Sequence, residues 1–140
     1  MEAPSLIAVV AAAAFLAFGA SLAAGDGARI AHRWIVPAAG SVGFLLFSLY
    51  TIAAEGPAGF WTEHTRNFWG NQIWMDLLLA ASVALYFLVP QAKKLGMRPA
   101  PWIALVACSG GIGLLAMTAR VLYLHDRAAL PASATTARAA

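Results

Sequence analysis

The chain has 140 residues, of which 61% are hydrophobic and 11% are charged, and its formal net charge is +3. An ordinary soluble domain is about 25% charged, so this composition excludes a soluble globule of this length. The Lys and Arg residues lie in short clusters beside apolar runs, which is typical of membrane-protein loops and not of surfaces that bind nucleic acid. The sequence therefore predicts an integral membrane protein of one domain.

Four apolar stretches follow one another along the chain, each close to the ~20 residues that a membrane-spanning helix needs. They are residues 5–24, 34–54, 73–90 and 102–124. Open strands would leave backbone polar groups unpaired in lipid, so these stretches predict helices. We expect an all-α fold, a bundle of four transmembrane helices over residues 1–125, followed by a disordered tail over residues 126–140.

The first stretch has a second interpretation, a cleaved signal peptide, because it ends in the small residues SLAAG. Its leading residues, MEAPS, contain no Lys or Arg, and the apolar run is long for a signal peptide. We therefore expect a retained helix, and cleavage stays open as the alternative.

The placement of Lys and Arg predicts the orientation in the membrane. The first connection, residues 25–33, contains two arginines, and the third, residues 91–101, contains two lysines and an arginine. Basic residues are in excess in cytoplasmic loops. We therefore expect these two connections to face the cytoplasm and both termini to lie outside.

Glycines mark the expected contacts between helices. In lipid, helices associate through small residues that allow close backbone approach. The second predicted helix contains Gly40 and Gly43, and the fourth contains Gly110, Gly111 and Gly113. We expect these five glycines to be helix-packing positions.

Large aromatic residues are concentrated around the connection between the second and third predicted helices. They are Phe60, Trp61, Phe68, Trp69 and Trp74. Aromatic rings favour the membrane interface, where one edge can stay hydrated. We expect an interfacial belt, and the alternative is an aromatic lid over a lipid-like ligand.

Asp76 lies a few residues inside the third apolar stretch. A charge deep in lipid costs about 2.5–3.5 kcal/mol on insertion scales, so it is usually paired. Arg120 is the basic residue inside the fourth stretch. The short connection between the third and fourth stretches makes their helices antiparallel neighbours, so these two residues lie at the same depth, which predicts an Asp76–Arg120 ion pair. Two alternatives remain: Arg120 extends to the lipid headgroups, or Asp76 is a functional acid.

Other polar residues are expected at the same end of the bundle. Glu55 ends the second helix there, and the following connection contains Glu63, His64, Arg66 and Asn67. This arrangement predicts a polar pocket beneath the aromatic residues. Within it, Asp76 and Glu55 are the candidate catalytic acids.

Known catalytic and cofactor motifs are not found in the sequence. No lysine lies within a predicted span, and the three histidines lie at helix ends or in connections, which argues against a bis-histidine haem in the bundle. Glu63 and His64 are adjacent but have no further Cys or His cluster to complete a metal site. We therefore predict no cofactor and no metal.

A set of residues between Tyr50 and Leu124 is similar to a widespread family of small bacterial membrane proteins of no assigned function. The residues that carry the resemblance are Tyr50, Gly56, Gly59, Phe60, Asn67, Trp69, Gly70, Gln72, Asp76, Leu77, the basic turn AKKLG at 92–96, Trp102 and the sequence LYL at 122–124. Two positions depart from the family's pattern. Gln91 stands where the family has an acid, and Arg120 lies in the last helix, which is more apolar in the family. The resemblance implies the helical fold, the bacterial inner membrane and a role for Asp76, and it implies no reaction.

These observations favour a non-enzymatic membrane module, a helix-packing subunit or assembly partner of a membrane complex. Its expected partners are membrane lipid and either a larger membrane protein or further copies of the chain. Two alternatives stay open. One is an intramembrane acid-catalysed enzyme acting on an isoprenoid or other lipid, as in terpene cyclases, and the other is a proton-coupled small carrier that uses Asp76.

Overall fold

The regular structure is entirely helical in the computed structural model, which describes residues 3–24 and 32–136. This confirms the predicted all-α class. Residue contacts divide the chain into two units, Met1–Ile30 and Ala31–Ala140, and each is described by itself.

The first unit contains one helix, α1, Ala3–Ala24. Its bounds agree with the predicted first helix. Its side chains from residue 4 onward are exposed in the structure, and its sequence is apolar on every face. A helix of this kind suits surroundings of lipid or other apolar helices.

The second unit begins with α2, Ile35–Glu55, which also agrees with its predicted bounds. Pro37 lies in the first turn, where its missing N–H leaves no helical bond unmade. The helix ends at Gly56, whose φ of 87° is a left-handed conformation that favours glycine. A short helix, α3, Gly59–Thr65, follows directly.

The next helix, α4, Phe68–Lys94, has 27 residues and is longer than predicted at both ends. Its side-chain cap, Asn67, sets the start. Pro90, at which we expected the helix to stop, lies inside it. The helix instead ends in a Schellman motif, in which Gly96 N–H donates to the Lys93 carbonyl and Met97 N–H to the Ala92 carbonyl.

The fourth predicted span is not one helix. It is divided into α5, Pro99–Ser109, and α6, Gly111–Thr136, by Gly110, which has φ 56° and ψ −123°. The two helices form a tight antiparallel hairpin, because Gly113 of α6 lies against the backbone of Leu105 in α5. Since α5 has 11 residues, its length is about 16 Å, roughly half of a bilayer's hydrocarbon core.

Three helices in the described part of the chain are long and apolar enough to cross a membrane: α1, α2 and α4. The predicted count of four spans is therefore not confirmed. The described part of α6 also continues through residues 126–136, which we predicted to be disordered, and residues 137–140 lie outside the description. Alanine is frequent in this segment and has the highest helix propensity of all residues.

Helix α6 holds the second unit together, because α2, α4 and α5 all pack on it. The most buried side chains are Met117 and Val121 of α6, which pack with Ala92 of α4. Residues of α4 and α5 surround this cluster, among them Leu88 and Trp102. The core therefore lies near the carboxyl end of α4.

Helices α2 and α6 are antiparallel. Arg33, just before α2, pairs with Asp126, while Ser41 further along α2 contacts Ile112 near the start of α6. Helix α6 therefore begins beside the middle of α2 and ends beside the start of α2. Because Val121 in the second half of α6 also packs with Ala92 near the end of α4, the start of α2, the end of α4 and the second half of α6 all lie at one end of the unit.

Candidate functional site

The polar residues of the α2–α4 connection come together where α3 meets the start of α4. Gly70 allows this approach, since a Cβ at this position would collide with the Glu63 carbonyl oxygen and lie 3.0 Å from that of His64. Asn67 caps α4 by accepting a hydrogen bond from Gly70 N–H at 2.9 Å. The sequence Asn-Phe-Trp-Gly thus supplies both the helix cap and the close packing.

A cleft of about 300 Å³ lies at this α3–α4 corner. It is lined by Glu63, His64, Arg66, Asn67, Trp69, Gly70 and Ile73. The Arg66 guanidinium and the Glu63 carboxylate form an ion pair at 2.6 Å, and both side chains are more than half exposed. Four of the polar residues that we expected around a pocket, those of the α2–α4 connection, line this cleft, which presents a surface carboxylate, an imidazole and a guanidinium.

The predicted aromatic residues divide into two groups. Trp74 packs beneath α3, with its ring 5.1 Å from the His64 ring and 6.3 Å from the Phe60 ring. Trp61, Phe68 and Trp69 extend outward, and Phe68 is 94% exposed. Trp69 also lines the cleft. Trp74 therefore fastens α3 to α4, and the outer rings are available to the surroundings.

The two candidate acids do not line this cleft. Asp76 and Glu55 are both exposed, and neither forms an ion pair within the part of the chain that the structure describes. Glu55 lies beside Gly59, with its Cβ 3.8 Å from the position a Gly59 Cβ would take. The described part of the fold therefore encloses neither of these acids.

The predicted ion pair between Asp76 and Arg120 is not formed. Arg120 is adjacent to Val121, which packs against Ala92 near the end of α4. Asp76 lies about sixteen residues before Ala92, or about 24 Å along the helix axis. The prediction assumed one continuous helix over residues 102–124, whereas the reversal at Gly110 returns Arg120 to the opposite end.

Arg120 instead belongs to a cluster at the start of α2, which we call the basic end cluster: Arg33, Trp34, Arg120, Tyr123, Asp126 and Arg127. The Trp34 and Tyr123 rings meet edge to face at 5.5 Å. The Arg120 and Arg127 guanidinium carbons each lie 5.6 Å from the centre of the Tyr123 ring. Cation–π attraction therefore holds both arginines on one aromatic residue.

One ion pair stabilises the same cluster. Arg33 and Asp126 lie 3.7 Å apart, with side chains 39% and 27% exposed. The contact involves Nη2 and Oδ1 alone, and among the described residues neither Arg33 Nε nor Asp126 Oδ2 has a hydrogen-bond partner. Sequence reasoning missed this pair because it treated Asp126 as part of a disordered tail. The Ser-Gly-Gly run at 109–111, a recognised turn signal, was the available clue.

The five predicted packing glycines have different environments. Gly40 faces Leu115, Gly111 faces Phe44, and Gly113 faces the α5 backbone. Gly110 forms the reversal itself, and a Cβ on it would meet no described atom within 4 Å. The same holds at Gly43, so its face of α2 is open within the described structure.

Ligating side chains are sparse. Within residues 3–24 and 32–136, no three His, Cys, Asp or Glu residues come close enough together to hold a metal ion. The single cysteine, Cys108 of α5, is a free thiol with an exposed side chain.

Comparison with protein-family models, with curated proteins and with solved structures gives no match for this chain. The resemblance to the small bacterial membrane proteins therefore stays a prediction.

Proposed function

We propose that this protein is a small multi-pass protein of the bacterial inner membrane and acts as a helix-packing subunit or assembly module of a membrane complex. The observation that carries the proposal is the difference between the two faces of α2. One face packs on α6 through Gly40, Ser41 and Phe44. The other has no partner among the described residues of the second unit.

The open face of α2 combines small and large residues in a pattern that suits another helix. Ala39 and Gly43 are one turn apart on this face and are both exposed, which allows close backbone approach. Leu46 and Tyr50 continue the face at 62% and 70% exposure. Lipid chains pack on any apolar surface, whereas a small-residue surface flanked by large side chains gives a helix a specific place to dock.

The helix lengths support a particular arrangement in the membrane. We place α2 and α4 across the bilayer and the α5–α6 hairpin halfway into it, with Gly110 near the midplane and α6 returning to the surface. Non-helical backbone is tolerated at that depth where protein surrounds it. The Ser41 hydroxyl supports such a turn on the side of α2, because it donates to the Ile112 carbonyl at 3.0 Å. Gly110 itself is exposed in the described structure, so we expect a partner in the complex to cover it.

The charges agree with this arrangement. The end of the second unit that contains the basic end cluster also contains Lys93, Lys94 and Arg98, while Glu55, Glu63 and Asp76 lie toward the opposite end. Because basic residues are in excess on the cytoplasmic side, we place the connections 25–33 and 91–101 there. Because α6 returns toward this end, we place the end of its described part on the same side, in place of our expectation that the carboxyl terminus lies outside.

Enzyme and carrier functions require Asp76 or Glu55 to reach a substrate or a proton path. Both residues are exposed and outside the α3–α4 cleft, and no contact in the described structure favours either function over the assembly module.

Co-purification in mild detergent tests the proposal. We expect the wild-type chain to come out of the membrane in a complex of fixed stoichiometry, larger than its own 14.6 kDa. Gly43→Leu should reduce recovery of the complex several-fold, since the larger side chain occupies the docking face. The matched control is Val42→Leu, a change at a neighbouring exposed position of α2.

The mass of the complex identifies the partner class. A multiple of the chain mass indicates a homo-oligomer, and another mass indicates a different membrane protein. A wild-type chain that is always monomeric, or equal recovery with Gly43→Leu and Val42→Leu, would contradict the proposal.

A further inference from the structure

The basic end cluster contains two arginines that are not paired with an acid in the described part of the chain. Arg120 lies one turn before Tyr123 and Arg127 one turn after it, so all three share a face of α6. Asp126, the only acid in the cluster, is paired with Arg33. Among the ion pairs of the described residues, neither Arg120 nor Arg127 takes part. Three arginines and one aspartate leave an excess of positive charge around one ring.

The position of the cluster along α6 is that of a membrane interface. Leu122, Tyr123 and Leu124 end the apolar part of the helix, and His125, Asp126 and Arg127 begin the polar part. Trp34 packs edge to face on Tyr123 at the same level, and Trp and Tyr are enriched at the headgroup level. The backbone of Arg120 lies one turn deeper in the membrane than that of Tyr123, and its long side chain reaches the level of the Tyr123 ring.

The chemistry of the cluster fits a phosphate group. A guanidinium presents its N–H groups in a planar fork, which matches two oxygens of a phosphate. The Tyr123 ring holds two such groups, one on each side along the helix. At the membrane interface the abundant phosphate is that of phospholipid headgroups, and a net positive site favours a lipid that is itself negatively charged.

We infer that Arg120 and Arg127, arranged around Tyr123, form a binding site for the headgroup of an anionic phospholipid. This site requires that the chain is inserted in a membrane, and it is independent of the docking face on α2. Free inorganic phosphate has the same charged group, so the experiment must separate the two sources.

The experiment is native mass spectrometry of the full chain in mild detergent, titrated with phosphatidylglycerol or with phosphatidylcholine. The wild-type chain should bind phosphatidylglycerol several-fold more tightly than it binds phosphatidylcholine. The double variant Arg120→Gln/Arg127→Gln should weaken phosphatidylglycerol binding by about tenfold or more. The matched control, Lys93→Gln/Lys94→Gln, removes the same charge at exposed positions of the same end and should weaken binding clearly less than the arginine double variant does.

Arg127→Gln alone is the second variant, since Arg127 is exposed and follows the apolar part of α6, and circular dichroism checks that each variant keeps its helical content. The Arg127→Gln variant should weaken phosphatidylglycerol binding by more than the lysine double variant does. Three outcomes would overturn the inference: equal binding of the two lipids, equal losses in the arginine and lysine variants, or full displacement of phosphatidylglycerol by millimolar inorganic phosphate. The last outcome would indicate a site for a free anion.

Discussion

Gly113 of α6 lies directly on Leu105 of α5, so closely that a Cβ on Gly113 would be 2.8 Å from the Leu105 carbonyl carbon. This contact closes the hairpin around Gly110. Together the two glycines explain why a stretch of sequence that is long enough for a span is divided into two packed helices.

We therefore expect Gly113→Ala to destabilise the protein by about 1–3 kcal/mol, because the added methyl group has backbone atoms in its way and the helices must separate. Thermal unfolding in detergent, followed by circular dichroism, measures the effect. Gly43→Ala is the matched control, since nothing lies within 4 Å of a Cβ there, and its stability should stay within about 0.5 kcal/mol of wild type or rise slightly. Similar losses in both variants would show that the hairpin is not tightly packed.

Ser41 connects α2 to the start of α6. Its hydroxyl donates to the Ile112 carbonyl at 3.0 Å, and the residue is 8% exposed. Ser41→Ala removes this bond and should cost about 0.5–1.5 kcal/mol of unfolding free energy. Ser82→Ala is the control, since that hydroxyl bonds only to Leu78 of its own helix and is exposed. If the two variants unfold alike, the α2–α6 bond contributes nothing.

Composition and hydropathy are sufficient to predict α1, α2 and most of α4, because a membrane span is a local property of about twenty residues. The same averaging hides the reversal at Gly110. The mean hydropathy of an apolar window is the same whether the chain continues through a glycine or turns at it. The sequence alone therefore favours a packing role for Gly110. The cap at Asn67 and the short helix α3 are likewise local features, although we predicted neither of them from the sequence.

The contacts of the basic end cluster are not predictable in this way. Arg33 and Asp126 lie at distant positions in the sequence, and their pairing depends on the direction of α6. A continuous fourth helix would run in the other direction, and this wrong assumption assigns Arg120 to the wrong end and to the wrong partner. A charge inside an apolar segment predicts that some partner exists, and the identity of that partner depends on tertiary geometry.

Double-mutant cycles separate the observed pair from the predicted one. Arg33→Gln and Asp126→Asn should show a coupling of about 0.2–1 kcal/mol, since the pair is partly exposed and makes a single contact. Asp76→Asn and Arg120→Gln should be additive within about 0.3–0.5 kcal/mol, since the two residues lie at opposite ends. The measurement is the unfolding free energy of each single and double variant in detergent. A larger coupling for Asp76 with Arg120 would contradict the arrangement described for α6.

The α3–α4 corner depends on the missing side chain at Gly70. Gly70→Ala should displace α3, because the new methyl group collides with the Glu63 carbonyl oxygen, and we expect a loss of about 1–3 kcal/mol. Limited proteolysis measures the effect locally as faster cleavage within residues 56–67. Gly59→Ala is the control, as its closest neighbour, the Glu55 Cβ, is at an ordinary distance of 3.8 Å. Unchanged cleavage in Gly70→Ala would indicate that α3 does not rest on α4.

A half-inserted α5–α6 hairpin and a fourth membrane span would place the end of α6 on opposite sides of the membrane. In a Cys108→Ala background, single cysteines are introduced by Lys94→Cys, Thr62→Cys and Ala128→Cys, all at exposed positions. A maleimide that cannot cross membranes is then applied to intact bacterial cells and to opened ones. We expect Lys94→Cys and Ala128→Cys to be labelled only after opening, and Thr62→Cys to be labelled in intact cells. Labelling of Ala128→Cys together with Thr62→Cys in intact cells would mean that the chain crosses the membrane after Arg98, and the half-inserted hairpin would then be wrong.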